Sequence, residues 1–407
     1  MMEGDSKAGL HKKRTWSEIN KSRKEERRKW KEINLEKKFE KQRAQNEKAE
    51  QASSIAASLQ PKFISTLSIA VPGSILENAQ SAELRTYLAG QIARAACIFK
   101  VDEIVVFDDY ADEASAKKSR FDPGDGSTES RHSCVQLGRI LQYLECPQYL
   151  RKHFFPIHKD LQYCGLVNPL NAPHHLSMRD KFVFREGVVL DMPVKAGKGS
   201  IVNAGLLKQV RVDKVLVPGI RCTVKLLPQD QNSKKLKGTI VSPSLPRSET
   251  GIYWGYSVRI ANSLSKVFSH CPYKKGYDLT IGTSDKGTSV DEFTCPKYKH
   301  LLVVFGGLHG LEAALENDSV LDADDPSLLF DSYLNTIPEQ GSKTIRTEEA
   351  ILISLTALKS KLKPEFKSKT FEKKSDDVLE TASDNGPEQN ELKTQGNDDD
   401  LSRFDSD

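Results

Sequence analysis

Apolar positions fall into two rhythms along the first third of this chain. A β-branched run, TLSIAV, leads to Pro72 and Gly73, and from 77 to 99 Leu84, Leu88, Ile92 and Ala96 recur at every fourth position. That spacing predicts strand, turn and helix, with those four residues facing a sheet and Arg85 and Arg94 on other faces. EIVVF at 103–107 predicts a second buried strand, so the unit is βαβ and the sheet parallel. Asp108, Asp109 and Tyr110 follow at its carboxyl end, the edge where open α/β sheets bind ligands, and are site candidates. Residues 111–129 are small, charged and interrupted by Gly and Pro, which reads as a mobile loop. Two helices are expected next, at 133–145 and 147–154, with Pro147 in a first turn.

The character changes from 180 to 270. FVFREGVVL, SIVNAGLL, KQVRVDKVLV, IRCTVKLL, KGTIVSP and YWGYSVRIA are short runs between Gly, Pro and Asp turns, the pattern of a small antiparallel barrel. DLTIGTSDKGTSV then resumes the parallel sheet with a strand and a turn bearing Thr283, Ser284, Lys286 and Gly287.

Two βα units organise the remainder. LLVVFGGLHGLEAAL ends a strand on Gly306, Gly307 and Gly310, where backbone can approach a ligand closely. SYLNTIPEQGSKTIRTEEAILISLTAL carries Asn335, Thr336, Ile337, Gln340, Gly341, Ser342 and Thr344 in a turn too polar for core. Thr347 is the expected cap of the next helix, with Glu348 and Glu349 complementing its dipole. Residues 350–358 are apolar on nearly every face, which predicts burial on more than one side. GGLHG is not a G-x-G-x-x-G fingerprint, and no G-x-x-x-x-G-K-[ST] loop occurs, so a dehydrogenase is nearly excluded. A nucleotide-like ligand without a pyrophosphate fits better.

At these residues the chain resembles a known family. QGSKTIRTEEA, GGLHGLE, STLSIAVPGSILENAQSAELRT and PLNAPHHL are similar to the SPOUT superfamily of S-adenosylmethionine-dependent RNA methyltransferases, across about residues 62–362. The resemblance is closest to the eukaryotic and archaeal branch with a barrel inserted in the catalytic domain. It implies an α/β fold with a parallel sheet, a C-terminal trefoil knot, an OB-like insertion and a homodimer formed through the knot. The segments it implies are a charged arm (1–60), the first part of the catalytic domain (61–179), the barrel (180–270), the knot part (271–362) and a disordered acidic tail (363–407). For the methyl donor it implies backbone contacts around Gly306, Gly307, Ile337, Ser342 and Ile345, with Asn335, Thr336, Gln340 and Thr347 as polar neighbours. Lys286 stands in the third wall, where the branch often has Arg. In many relatives a basic residue from the partner subunit reaches the acceptor, and Arg85 and Arg346 are the candidates. OB-like barrels stack bases on aromatics beside a basic groove, which makes Tyr253, Trp254, Tyr256, Arg211, Lys225 and Arg259 candidate RNA contacts. By analogy within the branch, uridine N3 of large-subunit ribosomal RNA is the expected acceptor.

Composition adds less. The chain has 407 residues and a formal net charge of +4, but Lys and Arg crowd 11–48 while 375–407 is mainly acidic. A basic arm suits nucleic acid, a localisation signal or a solvated helix. The seven cysteines form no C-x-x-C pair or metal-ligand spacing. Paired His174 and His175 lack a completing ligand, so RNA contact or structural hydrogen bonding is preferred over metal. No apolar leader or span of about 18 residues is found, and the expected location is nucleus, nucleolus and cytoplasm. A non-catalytic RNA-binding scaffold remains the rival reading, distinguished by failure to bind the methyl donor.

Overall fold

A computed structural model of the protein describes residues 64–110, 132–194, 198–228 and 236–367. The expected loop at 111–129, the arm at 1–60 and most of the tail therefore lie outside the described residues.

Strand β1 (Thr66–Pro72) is followed by a short 3-10 turn at Gly73–Asn78 and helix α1 (Ala82–Ile98). The helix starts five residues later than the spacing predicts, because Ser81 Oγ accepts the Leu84 N–H and caps it there. Leu88, Ile92 and Ala96 are buried as expected, but Leu84 is 53% exposed in the first turn. Strand β2 (Glu103–Phe107) is buried throughout. Helices α2 (His132–Glu145) and α3 (Gln148–Phe154) match their predicted extents closely.

Five strands then close a barrel: β3 (Phe184–Val189), β4 (Ile201–Asn203), β5 (Val210–Arg211), β6 (Arg221–Leu226) and β7 (Leu236–Val241), in the order β3-β4-β5-β7-β6. Its pairs are antiparallel except β5 with β7. Val189, Val202, Val210, Val212 and Val224 fill it.

The chain continues through α4 (Leu245–Thr250), β8 (Ser257–Ala261), α5 (Leu264–Ser269), β9 (Leu279–Ser289), β10 (Lys297–Tyr298) and β11 (His300–Val304). It ends in α6 (Gly310–Glu316), β12 (Ser332–Asn335), α7 (Thr347–Lys359) and β13 (Lys363–Pro364). The run YWGYSVRIA does not join the barrel. Its strand, β8, pairs in parallel with β2 and forms one edge of the main sheet. Lys363 and Pro364, expected in a disordered tail, instead pair with Lys297 and Tyr298, and the Ser65 N–H donates to Phe366 O.

The main sheet has six parallel strands in the order β12-β9-β11-β1-β2-β8. Alternation sends Ile69, Ile104 and Val303 to the face covered by α1, α2 and α7, and Ala70, Val105 and Val304 to the face covered by α5 and α6. Both faces are dry, which is why these strands read as continuous apolar runs. α7 buries Ile351, Leu355 and Leu358 on one side only; Leu352 stays 39% exposed, so burial on several sides is not realised.

A buried ion network fixes the barrel to the helices. Arg221 on β6 donates to both Glu145 oxygens at the end of α2 (2.6 and 3.0 Å) and to Glu186 on β3 (2.8 Å). Thr223 Oγ1 and Trp254 Nε1 also donate to Glu186, at 2.6 and 2.7 Å. Burial opposes ionisation of Glu145, yet hydrogen bonds from His174 and Arg221 outweigh it and hold the carboxyl at about 2. Arg221→Met would strand two buried carboxylates, and should lower unfolding stability by about 3 kcal/mol in denaturant titrations. Because the folded pKa of Glu145 is depressed, its stabilisation is complete above about pH 4.3 and is lost as pH falls toward about 2. Glu145→Gln should therefore flatten the acid limb of the stability profile; an unchanged limb would assign acid unfolding to other groups.

Candidate functional site

The carboxyl ends of β1, β2 and β11 converge on a glycine turn. Gly306 has no room for a side chain, since an added Cβ would lie 2.7 Å from the Gly310 carbonyl carbon. Gly310 itself sits at φ +75°, and its N–H donates to Gly307 O at 3.1 Å as α6 begins. At Gly307 an added Cβ would stand 3.1 Å from Asp109 Oδ2 and 3.2 Å from Ser74 Oγ. Ser74 Oγ donates to that same Asp109 oxygen at 2.5 Å, and Asn317 Nδ2 donates to Asp109 O at 3.1 Å. Burial pushes the Asp109 carboxyl up from its ordinary value, against the hydrogen bond from Ser74. Asp108 is buried too and accepts the Tyr110 N–H through Oδ1 at 3.0 Å. Of the strand-end trio, Asp109 thus lies beside the glycine turn, with Ser74 as a partner that periodicity did not single out.

The second turn folds against the first. Asn335 Oδ1 accepts the Ile337 N–H at 3.1 Å, and Thr336 Oγ1 lies 2.7 Å from Ser354 Oγ on α7. Gln340 Nε2 donates to Ser342 O at 3.0 Å, and Ser342 Oγ to Thr344 O at 2.8 Å. Around Gly341 there is open space at the Cβ position. Arg346, not Thr347, occupies the cap position of α7. The Thr347 hydroxyl reaches across instead and donates to Gly306 O at 2.9 Å, which ties the two glycine turns together.

The third wall comes from β9, a continuous 11-residue strand where a strand and turn were expected. It stays paired with β12 through a register shift at Tyr333 and Leu334. Thr283 Oγ1 donates to Val304 O at 3.0 Å and Asn335 Nδ2 to Asp285 O at 2.9 Å, so all three segments are cross-linked. Lys286 donates to Glu312 on α6 at 2.7 Å; that bond raises its pKa, and the side chain remains 71% exposed. Gly287 lets the β12 backbone pass, since an added Cβ would meet Leu334 C at 2.5 Å.

The structure thus gathers Lys286, Gly306, Asn335 and Thr347 into one constellation. Arg346 is 58% exposed at its border and pairs with Glu348 at 3.0 Å. Arg85 sits on α1, where its Nε donates to Ala79 O at 3.2 Å.

The aromatic platform is not where the barrel pattern put it. Tyr253, Trp254 and Tyr256 are buried, and their polar atoms are committed to Val101 O, Glu186 and Leu141 O. A base cannot stack on rings that already form core. Arg259 is used inside the fold, donating to Glu103 at 2.9 Å and to Val267 O at 3.1 Å. His174 is fully buried, with Nε2 3.0 Å from Glu145 Oε1, and His175 Nε2 lies 2.6 Å from Glu145 O. Burial and the neighbouring His174 bring His175 down to about 4, so it is neutral near pH 7. Both histidines are therefore structural. Lys225 pairs with Glu249 at 2.8 Å beside the Phe184 ring, and Arg211 lies half-buried on β5. No group of three His, Cys, Asp or Glu among the described residues is placed to hold a metal, and no described helix is long and apolar enough to cross a membrane.

Polar and glycine-rich turns gathered at the carboxyl edge of a parallel sheet, beside an accessory barrel, are the arrangement in which open α/β folds bind ligands. The family model described as "Putative RNA methyltransferase" matches residues 66–358, and the chain belongs to that RNA methyltransferase family. It is 54% identical over 364 residues to the 28S rRNA (uridine-N(3))-methyltransferase of Drosophila melanogaster, covering 88% of this chain and 74% of that one. Proteins of the same name are 58% identical in Mus musculus (72% and 76% covered) and 54% identical in Homo sapiens (78% and 85% covered). The expectation of an RNA methyltransferase is borne out.

The bond between the two turns can be removed without changing shape. Thr347→Val should lower stability by about 1 kcal/mol and increase hydrogen exchange at 306–310 and 335–346. Unchanged exchange would mean the turns are held independently.

Proposed function

We propose that this chain transfers a methyl group from S-adenosylmethionine to N3 of a uridine in 28S ribosomal RNA. The observation carrying this is the junction of three turns through Thr347, Asn335 and Thr283, in a chain of this family. The residues suit such a donor. Closely passing backbone at Gly306 and Gly307, polar side chains at 335–347 and no phosphate loop match a nucleoside carrying no pyrophosphate.

S-adenosylmethionine supplies an electrophilic methyl on a sulfonium, which leaves as a neutral thioether. The chain's task is to align acceptor and donor and to remove the N3 proton as the N–C bond forms. Backbone around Gly306, Gly307, Ile337, Ser342 and Ile345 holds the adenosine, with Asn335, Thr336, Gln340 and Thr347 fixing the turns. Lys286 closes the third wall through Glu312. In the homodimer we propose, Arg85 and Arg346 of one protomer approach the acceptor at its partner's crevice. Exposed Leu84, Tyr87 and Ile98 on α1 and Leu352 on α7 support an interface there. The junction of the glycine turns supports a trefoil knot in 271–362, and the closed five-strand barrel supports an OB-like insertion. Work on ribosomal RNA suits the nucleolus, nucleus and cytoplasm, with the charged arm and acidic tail as accessory segments.

Calorimetric titration of the full chain with S-adenosylmethionine should give micromolar-range binding, abolished by Gly307→Val, whose Cβ would already crowd Asp109 and Ser74. Ribosomal RNA from depleted cells should lose 3-methyluridine by nucleoside mass spectrometry. Donor binding absent from folded wild-type protein would favour the scaffold reading instead.

A further inference from the structure

A concavity of about 1460 Å³ lies at the amino-terminal ends of the parallel strands, away from the glycine turns. Thr66, Ser257 and His300 at the starts of β1, β8 and β11 line one side, and Arg221, Cys222 and Thr223 of β6 line the other. It exceeds the roughly 300–1,000 Å³ of small-molecule sites, which suits a segment of polymer.

Its carboxylates are already used. Asp102 pairs with Arg247, and Glu145 and Glu186 with Arg221. Asp278 accepts the N–H groups of Lys299 and His300 at 2.7 and 2.5 Å. At the rim Lys274 and Lys275 are exposed and make no ion pair among the described residues, while Lys299 lies 3.7 Å from Glu365. Also in the lining, the Tyr273 ring stacks on His300, with centroids 3.6 Å apart and planes 14° apart. Thr66 Oγ1, 2.9 Å from His300 Nδ1, fixes the imidazole, and burial lowers the His300 pKa, so the pair is a neutral flat surface near pH 7. Ile64 also lines the cleft. The Lys- and Arg-rich stretch at 11–48 carries the same sign as the rim. Like charge disfavours that stretch as the occupant and favours an anionic strand drawn to both.

We propose that this cleft is a second RNA site, holding a single-stranded part of the substrate with phosphates on Lys274 and Lys275 and a base against the Tyr273–His300 pair. The proposal rests on the RNA methyltransferase reading and adds where the substrate is gripped.

The test is binding of a labelled oligouridine to the full chain across a salt series, for wild type and Lys274→Ala/Lys275→Ala. Two lost phosphate contacts should reduce the slope of log K against log salt by about 1.4, at about 0.7 per contact for single strands. S-adenosylmethionine affinity should not change. An unchanged slope in a variant that still binds the donor overturns the cleft as an RNA site. Wild-type protein that binds donor but no oligonucleotide overturns the cleft alone, whereas binding of neither overturns the function beneath it. If the double variant loses its thermal transition, photo-cross-linking of a 4-thiouridine oligonucleotide to wild type decides. Adducts within 273–300 support the site, and adducts only elsewhere refute it.

Discussion

One guanidinium sets the relation between the two halves of this protein. Arg221 leaves the barrel and lies between Glu145, at the end of a helix packed on the main sheet, and Glu186, on a neighbouring barrel strand. Two buried carboxylates without it would carry uncompensated charge, which costs far more than misplaced apolar contacts. The fork geometry of arginine satisfies both at once, and a lysine could not supply the same paired donors. His174, Thr223 and Trp254 complete the carboxylates' remaining bonds. The barrel is therefore held at a defined angle, and the cleft beside it has fixed walls.

At the other end of the strands a second set of bonds does comparable work with neutral groups. Thr347, Thr283 and Asn335 each spend a side-chain hydrogen bond on a backbone carbonyl of a different segment. Glycines at 287 and 306 let those backbones approach to distances no Cβ would permit. Such a junction leaves backbone exposed to a ligand while remaining rigid, which suits alignment of two reactants better than mobile side chains would.

The parallel sheet was legible in the sequence because it is buried on both faces, so its strands are unbroken apolar runs next to periodic helices. The glycine turns were legible for the same reason: polar and glycine residues break those runs where strands end. Long-range pairings were not. Strand β8 has the aromatic, alternating look of a barrel strand, yet it crosses back to pair with β2, and nothing local distinguishes the two destinations. Tyr253, Trp254 and Tyr256 misled in the same way. An aromatic near basic residues reads as a nucleic-acid platform, but burial is decided by neighbours far away in sequence, here Val101, Glu186 and Leu141. Thr347 looks like a cap because capping is a local rule, whereas its actual partner, Gly306, lies 41 residues away.

The placement of cleft and crevice at opposite ends of one sheet constrains how a substrate is handled. β1 has seven residues, so the two edges are about 20 Å apart at a rise of about 3.3 Å per residue. A strand gripped at the amino-terminal edge cannot present its adjoining nucleotide to the carboxyl edge of the same sheet. It must either run around the barrel side or deliver its target uridine to the crevice of a second protomer. The second route is the one open to the homodimer proposed above, in which the exposed apolar residues on α1 and α7 would be the surface that brings another copy's turns into reach. Recognition and chemistry would then be divided between protomers, and each chain would need the other for turnover while needing only itself to bind the methyl donor.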